Sequence, residues 1–251
     1  VPGIVFSDGP RGVVVGTATC FPVSMARAAT WDPDLEERIG TAIALELRRI
    51  GATFYGGVCI NLLRHPAWGR AQETYGEDPT LLGEMGAALT RGAQRHVMAC
   101  VKHFALNSME NARFTVDVTV DDRVLHEVYL PHFEQVVAEG VASVMSAYNS
   151  VNGEWCGQNR ALLTDVLREQ WGFDGFVISD FISGLRNGAR SVRAGLDIEM
   201  PFRMVRRQQV PGQLAADEVT VDEIRASVTR SVATQLRFQA RLAAVPAGSP
   251  V

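Results

Sequence analysis

Ionisable and polar side chains recur at one kind of place in this sequence, directly after a short apolar run. Asp8 follows "GIVFS", and Asn61 closes "ATFYGGVCIN", with Arg64 and Arg70 on the loop beyond it. Lys102 and His103 end "HVMACVKHF", Tyr148 lies near the end of "VASVMSAYN", Asp180 stops "GFVIS", and Asp197 and Glu199 interrupt "AGLDIEMP". One polar residue at a strand end needs no more explanation than contact with water. The whole set is different: carboxylates, cations, an imidazole and a phenol gathered on one rim are not required by packing. A polyhydroxylated ligand does require them, because carboxylates accept from hydroxyls while Lys and Arg donate to them. A carboxylate held by a rigid strand can also meet an oxocarbenium-like carbon as a nucleophile. Asp180 is the candidate, and a nearby cation such as Lys102 would keep it ionised. A metal-dependent site using Asp8, Asp180 and Glu199 as ligands and Lys102 as base is a second chemistry for the same residues. It lacks His-rich ligand spacing.

The elements that carry these residues alternate. "WDPDLEERIGTAIALELRRIG" reads as a helix, with Asp32 as N-cap, Pro33 in the first turn and Gly51 as the stop. A polar loop over 62–78 leads to a helix from about Pro79 to Arg95. "DDRVLHEVYLPHFEQVVAEG" is a helix kinked at Pro131. "NRALLTDVLREQWG" is a helix closed by Gly172, a short helix spans Leu185 to Arg193, and a last one spans Val221 to Leu242. Six strand candidates separated by helices predict an α/β fold with a parallel sheet. We expect a (β/α)8 TIM-like barrel incomplete at its N-terminus: either a first βα unit lies outside the chain or some strands are too irregular to read. Such barrels take about 250 residues and place their active sites at the strand C-termini. No GxGxxG follows the first strand, so dinucleotide binding lacks its signature. The barrel is expected over 1–242, with 243–251, ending in "PAGSPV", as a tail or the start of a linker.

Bulk properties narrow the partners. Net charge is −4 with no basic block, which gives nucleic acid no electrostatic footing. No apolar run approaches the roughly 18 residues needed to cross a bilayer, so a membrane is not an expected partner. Cys20, Cys59, Cys100 and Cys156 are scattered without zinc spacing and read as core thiols that leave the compartment open. No cofactor is expected.

At its polar strand ends the sequence resembles a known family. "FSDGPRGV", "HPAWGRAQETYGEDP", "VKHFALNSME", "VDDRVLHEVYLPHF", "SVMSAYNSVNG", "LLTDVLREQWGFDGFVISDF" and "AGLDIEMP", in this order, look like glycoside hydrolase family 3, most of all the N-terminal barrel domain of its β-glucosidase branch. The resemblance runs from about Phe6 to Pro201 and implies a retaining exo-glycosidase that removes terminal β-D-glucosyl or related residues from small carbohydrates. By motif Asp180 matches the nucleophile. Asp8, Arg70, Lys102, His103 and Tyr148 match residues that hold the terminal sugar, with Met145 lining that subsite. Phe181 stands where the family usually has Trp; a phenyl ring still packs on a sugar face but lacks the indole N–H. In this branch the general acid/base sits in a second domain after the barrel, so a second domain or a partner chain is expected to supply it. Without one, a sugar-binding barrel of weak or no activity is the alternative. A branch of the family carries an Asp–His dyad on a barrel loop and releases N-acetylglucosamine; no such loop follows "KHFALNS".

The remaining polar residues receive quieter readings. Glu73 and Asp78 are expected to be structural, pairing with Arg70 or capping the helix at Pro79. Asp197 and Glu199 are expected to be structural or rim-forming. His126 and His132 are expected to be exposed or at the core edge, His65 is a loop residue, and Trp68 is either a platform or a loop anchor.

Overall fold

The computed structural model describes residues 3–245. Its centre is a parallel sheet of β1 (Phe6–Ser7), β2 (Phe54–Cys59), β3 (Met98–Phe104), β5 (Ser143–Ser146) and β8 (Phe176–Ile178), in the spatial order β1-β2-β3-β5-β8. Helices lie between these strands: α1 (Ser24–Ala28) and α2 (Pro33–Arg49), α3 (Pro79–Ala93), α4 (Pro131–Ala138) and α5 (Ala161–Gln170). After β8 come α6 (Gly188–Ala194), α7 (Val205–Ala215) and α8 (Val221–Ala244). Each neighbouring pair of strands is parallel and joined by a long crossover, which is the TIM-barrel-like α/β arrangement expected from the alternating pattern.

The period-2 alternation of the strands sorts their residues onto two faces. Tyr55, Ala99, Val101, Val144 and Val177 face the helices and belong to the main core, with Ile43, Leu47, Leu82, Met85, Val136 and Leu163. Burying each such large side chain contributes about 1.5–3 kcal/mol. Phe54, Met98, Cys100, Met145, Phe176 and Ile178 form a second cluster on the opposite face, joined by Phe238 of α8. The same alternation, carried two residues further, takes Phe6 to Asp8, Cys100 to Lys102 and Ile178 to Asp180. The apolar inner face therefore ends in charge. Gly56 allows the Phe6 ring to lie against β2, since a Cβ there would meet that ring at 2.4 Å.

Asp32 caps α2 by accepting from Leu35 N at 2.9 Å, and Gly51 leaves the helix at φ +83. Three expectations are corrected. "AGLDIEMP" is not a strand and contributes only a parallel bridge of Ile198 to Ile178. Its ladder is cut because Met200 N donates to Ser179 Oγ and Pro201 has no N–H to offer. The helix over 121–140 is kinked at Pro131 but is not uniformly α-helical up to that point, because its backbone stays right-handed through a π-helical stretch. Helical Asp122–Val124 passes into a wide turn at Leu125–Tyr129, Leu130 N donates back to Leu125 O, and α4 starts at Pro131. His132 is fully buried beside Phe133, not at the core edge, and burial lowers its pKa to about 3. Two features were not foreseen, α7 and a small sheet of β4 (Asp117–Val118), β6 (Ser150–Val151) and β7 (Glu154–Trp155). The last helix reaches Ala244, past the expected boundary at 242, and "PAGSPV" lies outside the described residues.

One buried polar network anchors the segment after β1. Arg27 Nε donates to Glu36 Oε2 at 2.9 Å, and Tyr75 Oη donates to Glu36 Oε1. Arg27 Nη1 also donates to Pro10 O at 2.9 Å and Pro22 O at 2.7 Å, while Tyr55 Oη donates to Gly9 O at 2.8 Å. The turn following Asp8 is thus held by carbonyl contacts from α1 and β2. Arg27→Leu would leave the fully buried Glu36 without its cation. Urea unfolding is expected to show a loss of about 3–5 kcal/mol, and a loss below about 1 kcal/mol would contradict this role.

Candidate functional site

The polar strand ends meet at one edge of the sheet. Asp180 follows β8 by two residues and is 6% exposed. Its Oδ1 accepts from Phe181 N at 2.8 Å. Its Oδ2 has no hydrogen-bond partner and lies 3.7 Å from His103 Nε2. A buried carboxylate oxygen with no donor is costly, because it has given up water for nothing. Burial accordingly pushes the Asp180 pKa up to about 6, and the Phe181 N–H, Lys102 and Arg70 only partly offset this.

Lys102 is 1% exposed, and its Nζ donates to Asp8 Oδ1 at 2.6 Å. Burial is the largest influence and would lower the Lys102 pKa, but the Asp8 charge, its hydrogen bond and Cys59 together outweigh it and the ammonium is held above its usual value. Gly9 N donates to the same Asp8 oxygen, while the Asp8 side chain stays 43% exposed. Arg70 is locked by a bidentate pair with Glu73, at 2.9 and 2.8 Å, and its charge reaches Asp180. His103 is fully buried, and burial together with Arg70, Lys102 and Arg113 holds it well below the usual imidazole range. It is neutral at neutral pH.

Met145 lies on the inner face of β5, in register with Lys102 and Ile178. Tyr148 Oη donates to Phe181 O at 2.8 Å, fixing the backbone just after the acid, and the hydroxyl also lies close enough to the Asp180 carboxylate to favour its ionised form. The Phe181 ring packs on Phe6, with centroids 5.0 Å apart, at the top of the inner apolar cluster. The site therefore gathers Asp8, Lys102, His103, Met145, Tyr148, Asp180 and Phe181 at the tips of β1, β3, β5 and β8, with Arg70 from the loop after β2.

Other polar residues are spent on structure. Asp78 caps α3 through Thr80 N and Leu81 N, and Glu73 holds Arg70. Asp197 accepts from Arg168, Arg230 and Val177 N, which ties β8 to α5 and α8. Glu199 accepts from Val205 N and Arg206 N, so the metal-dependent alternative loses its third ligand. Trp68 is a buried loop anchor whose Nε1 donates to Glu110, and His65 Nδ1 accepts from Ala67 N. Arg64 is exposed and lies over the Tyr129 ring rather than at the rim.

Sequence reasoning passed over three contributors. Arg113 pairs with Glu110 at 2.7 Å and lies over the Tyr148 and Phe114 rings at 4.7 Å each. Only its position in the loop after "KHF", next to Phe114, hinted at this. Gly184 closes the turn after Asp180, where a Cβ would sit 2.3 Å from Asp180 O. Asn61 was recognised as a strand end, but its partner was not: it binds His103 through main chain and ring.

The raised pKa has a stability consequence. The unfolded chain ionises Asp180 near the usual value of about 3.9, the folded chain only near 6. Native stability therefore falls as pH rises from about 4 through about 6. Asp180→Asn is expected to stabilise the fold by about 2–3 kcal/mol at pH 7.5, with the gain shrinking toward zero near pH 4. Urea unfolding at both pH values checks this, and an equal effect at both would contradict it.

Comparison with known proteins shows the family. The model of the glycosyl hydrolase family 3 N-terminal domain matches residues 1–234. A β-glucosidase of Rhizobium radiobacter is 41% identical over 240 residues, covering 92% of this chain and 29% of that protein. An exo-α-(1→6)-L-arabinopyranosidase of Bifidobacterium breve is 37% identical over 217 residues, covering 80% of this chain and 28% of that protein. The solved structure of β-glucosidase 3B from Thermotoga neapolitana in complex with α-D-glucose superposes with a TM-score of 0.92 at 34% identity, over 99% of this chain and 38% of that one. The chain thus spans less than a third of the length of the Rhizobium and Bifidobacterium relatives. Residues 1–234 make the chain a member of glycosyl hydrolase family 3, as its N-terminal domain.

Proposed function

We propose that this domain binds the terminal sugar of a β-D-glucoside or related glycoside and that Asp180 attacks its anomeric carbon. The observation that supports this most is the buried Asp180 Oδ2, which no protein donor satisfies, at the tip of β8. An unpaired acceptor in that position is poised to form a bond. In the proposed step Asp180 Oδ2 bonds to C1, the bond from C1 to the leaving oxygen breaks, and that oxygen takes a proton. Water then cleaves the glycosyl ester with retention. Asp8, Lys102, Arg70 and His103 would hold the ring hydroxyls, and the Arg113–Phe114–Tyr148 group borders the same rim.

The proton for the leaving group has no evident donor among the described residues. Asp8 is paired with Lys102, Glu73 with Arg70, and Glu110 with Arg113, while Asp197 and Glu199 are bonded within the fold. The reading therefore assigns the acid/base to a second domain or a partner chain. General acid catalysis is worth about 10²–10⁴-fold, so glycosides with good leaving groups lose least without it. The names of the relatives include both a glucosidase and an arabinopyranosidase, so the proposed substrate class takes in related pyranosides beside β-D-glucosides. Residues 1–242 form the barrel domain in this reading.

The test is a dinitrophenyl 2-deoxy-2-fluoro-β-glucoside, which forms the glycosyl ester quickly and releases it slowly. Intact mass and peptide mapping are expected to find one fluorosugar on Asp180, and none on Asp180→Asn. A label on another residue, or none on the folded protein, would contradict the nucleophile and favour a sugar-binding barrel.

A further inference from the structure

We infer that Asn61 is a positioning residue that fixes His103 as the Nδ1–H tautomer, so that His103 presents only an acceptor, Nε2, to the ligand beside Asp180. The direction of the Asn61 amide is fixed by its two backbone partners. A backbone N–H can only donate and a backbone carbonyl can only accept. His103 N donates to one end of the amide at 2.9 Å, and His103 O receives the other end at 2.9 Å. The first end must be oxygen and the second nitrogen. That same oxygen, Oδ1, lies 2.8 Å from His103 Nδ1. Two acceptors at that distance would repel, so Nδ1 carries the proton. Asn61 is 1% exposed, and both of its amide ends are engaged, so no water competes for either.

The consequence falls on the other ring nitrogen. In a neutral imidazole with its proton on Nδ1, Nε2 holds a lone pair. Nε2 lies 3.7 Å from Asp180 Oδ2, which itself has no donor. Two unsatisfied acceptors thus share one gap. His103 is not arranged to donate a hydrogen bond to Asp180, as a histidine beside a carboxylate otherwise would. Given the hydrolase reading above, the gap asks the sugar for a hydroxyl that donates; a sugar with an ether or fluorine there binds more weakly, because neither can satisfy the acceptors, and reacts with Asp180 only when an activated leaving group drives the step.

The test is ¹⁵N NMR of the histidine side chains at neutral pH in the wild-type chain without sugar, with His103 assigned by the loss of its signals in His103→Gln. The expected pattern is a protonated Nδ1 and an unprotonated Nε2. Asn61→Asp keeps an acceptor against Nδ1 and is expected to retain that pattern. Asn61→Ala removes the acceptor and should shift the tautomer ratio toward Nε2–H by about tenfold, the worth of one hydrogen bond to a buried group. An Nε2–H histidine in the wild type, or an unchanged ratio in a folded Asn61→Ala, overturns the inference. If Asn61→Ala does not fold, the wild-type spectrum and Asn61→Asp decide it alone. The readout needs no turnover, so a failed fluorosugar trap beside an Nδ1–H His103 would sink the hydrolase reading and leave this one standing.

Discussion

Everything at this site follows from one constraint: a carboxylate is held nearly dry at a strand tip, with one oxygen left unbonded. Such a group is unfavourable in isolation, and the fold tolerates it because the cost is local and the rest of the structure is well packed. Strands β3, β5 and β8 supply a rigid floor. The Lys102 and Arg70 charges lower the cost of ionisation without closing on Asp180 themselves, since each is paired to its own carboxylate. Had either cation been free to form a direct pair, Asp180 would lie low in pKa and be satisfied, with little left to offer a ligand.

The supporting shell works by spending its other polar groups elsewhere. Arg27, Glu36 and Tyr75 hold the turn behind Asp8, and Tyr148 and Gly184 hold the backbone around Asp180 and Phe181. Asn61 orients His103. Asp197, although it neighbours β8 through the Ile198 bridge, is fully engaged by two arginines and a backbone N–H. Of two acids close in sequence order, 180 and 197, one therefore keeps an unbonded oxygen and the other is fully engaged, a difference of hydrogen bonding and not of residue type.

Much of this was legible in the residues. The alternation of apolar runs and capped helices exposed the parallel α/β plan, and acids or cations directly beyond those runs marked the rim. Asp32, Asp78 and Glu73 had local partners within a few positions, so their roles could be read. What escaped depended on contacts far apart in the chain. The truncation at Met200 depends on a serine hydroxyl 21 residues away, and the bond from Asn61 to His103 spans 42. The kink at Pro131 was visible as a proline, but the π-helical widening of the preceding turn was not. Arg113 carried no periodic signal, since it lies in a loop and acts by stacking on side chains that only the fold brings near.

The central claim is that the open valence of Asp180 faces the anomeric carbon of a bound sugar. A crystal structure of the chain soaked in glucose tests it most directly. The account predicts a pyranose ringed by Asp8, Lys102, Arg70 and His103, with C1 within bond-forming reach of Asp180 Oδ2. Glucose bound elsewhere, or seated there with its C1 turned away from that oxygen, would contradict it.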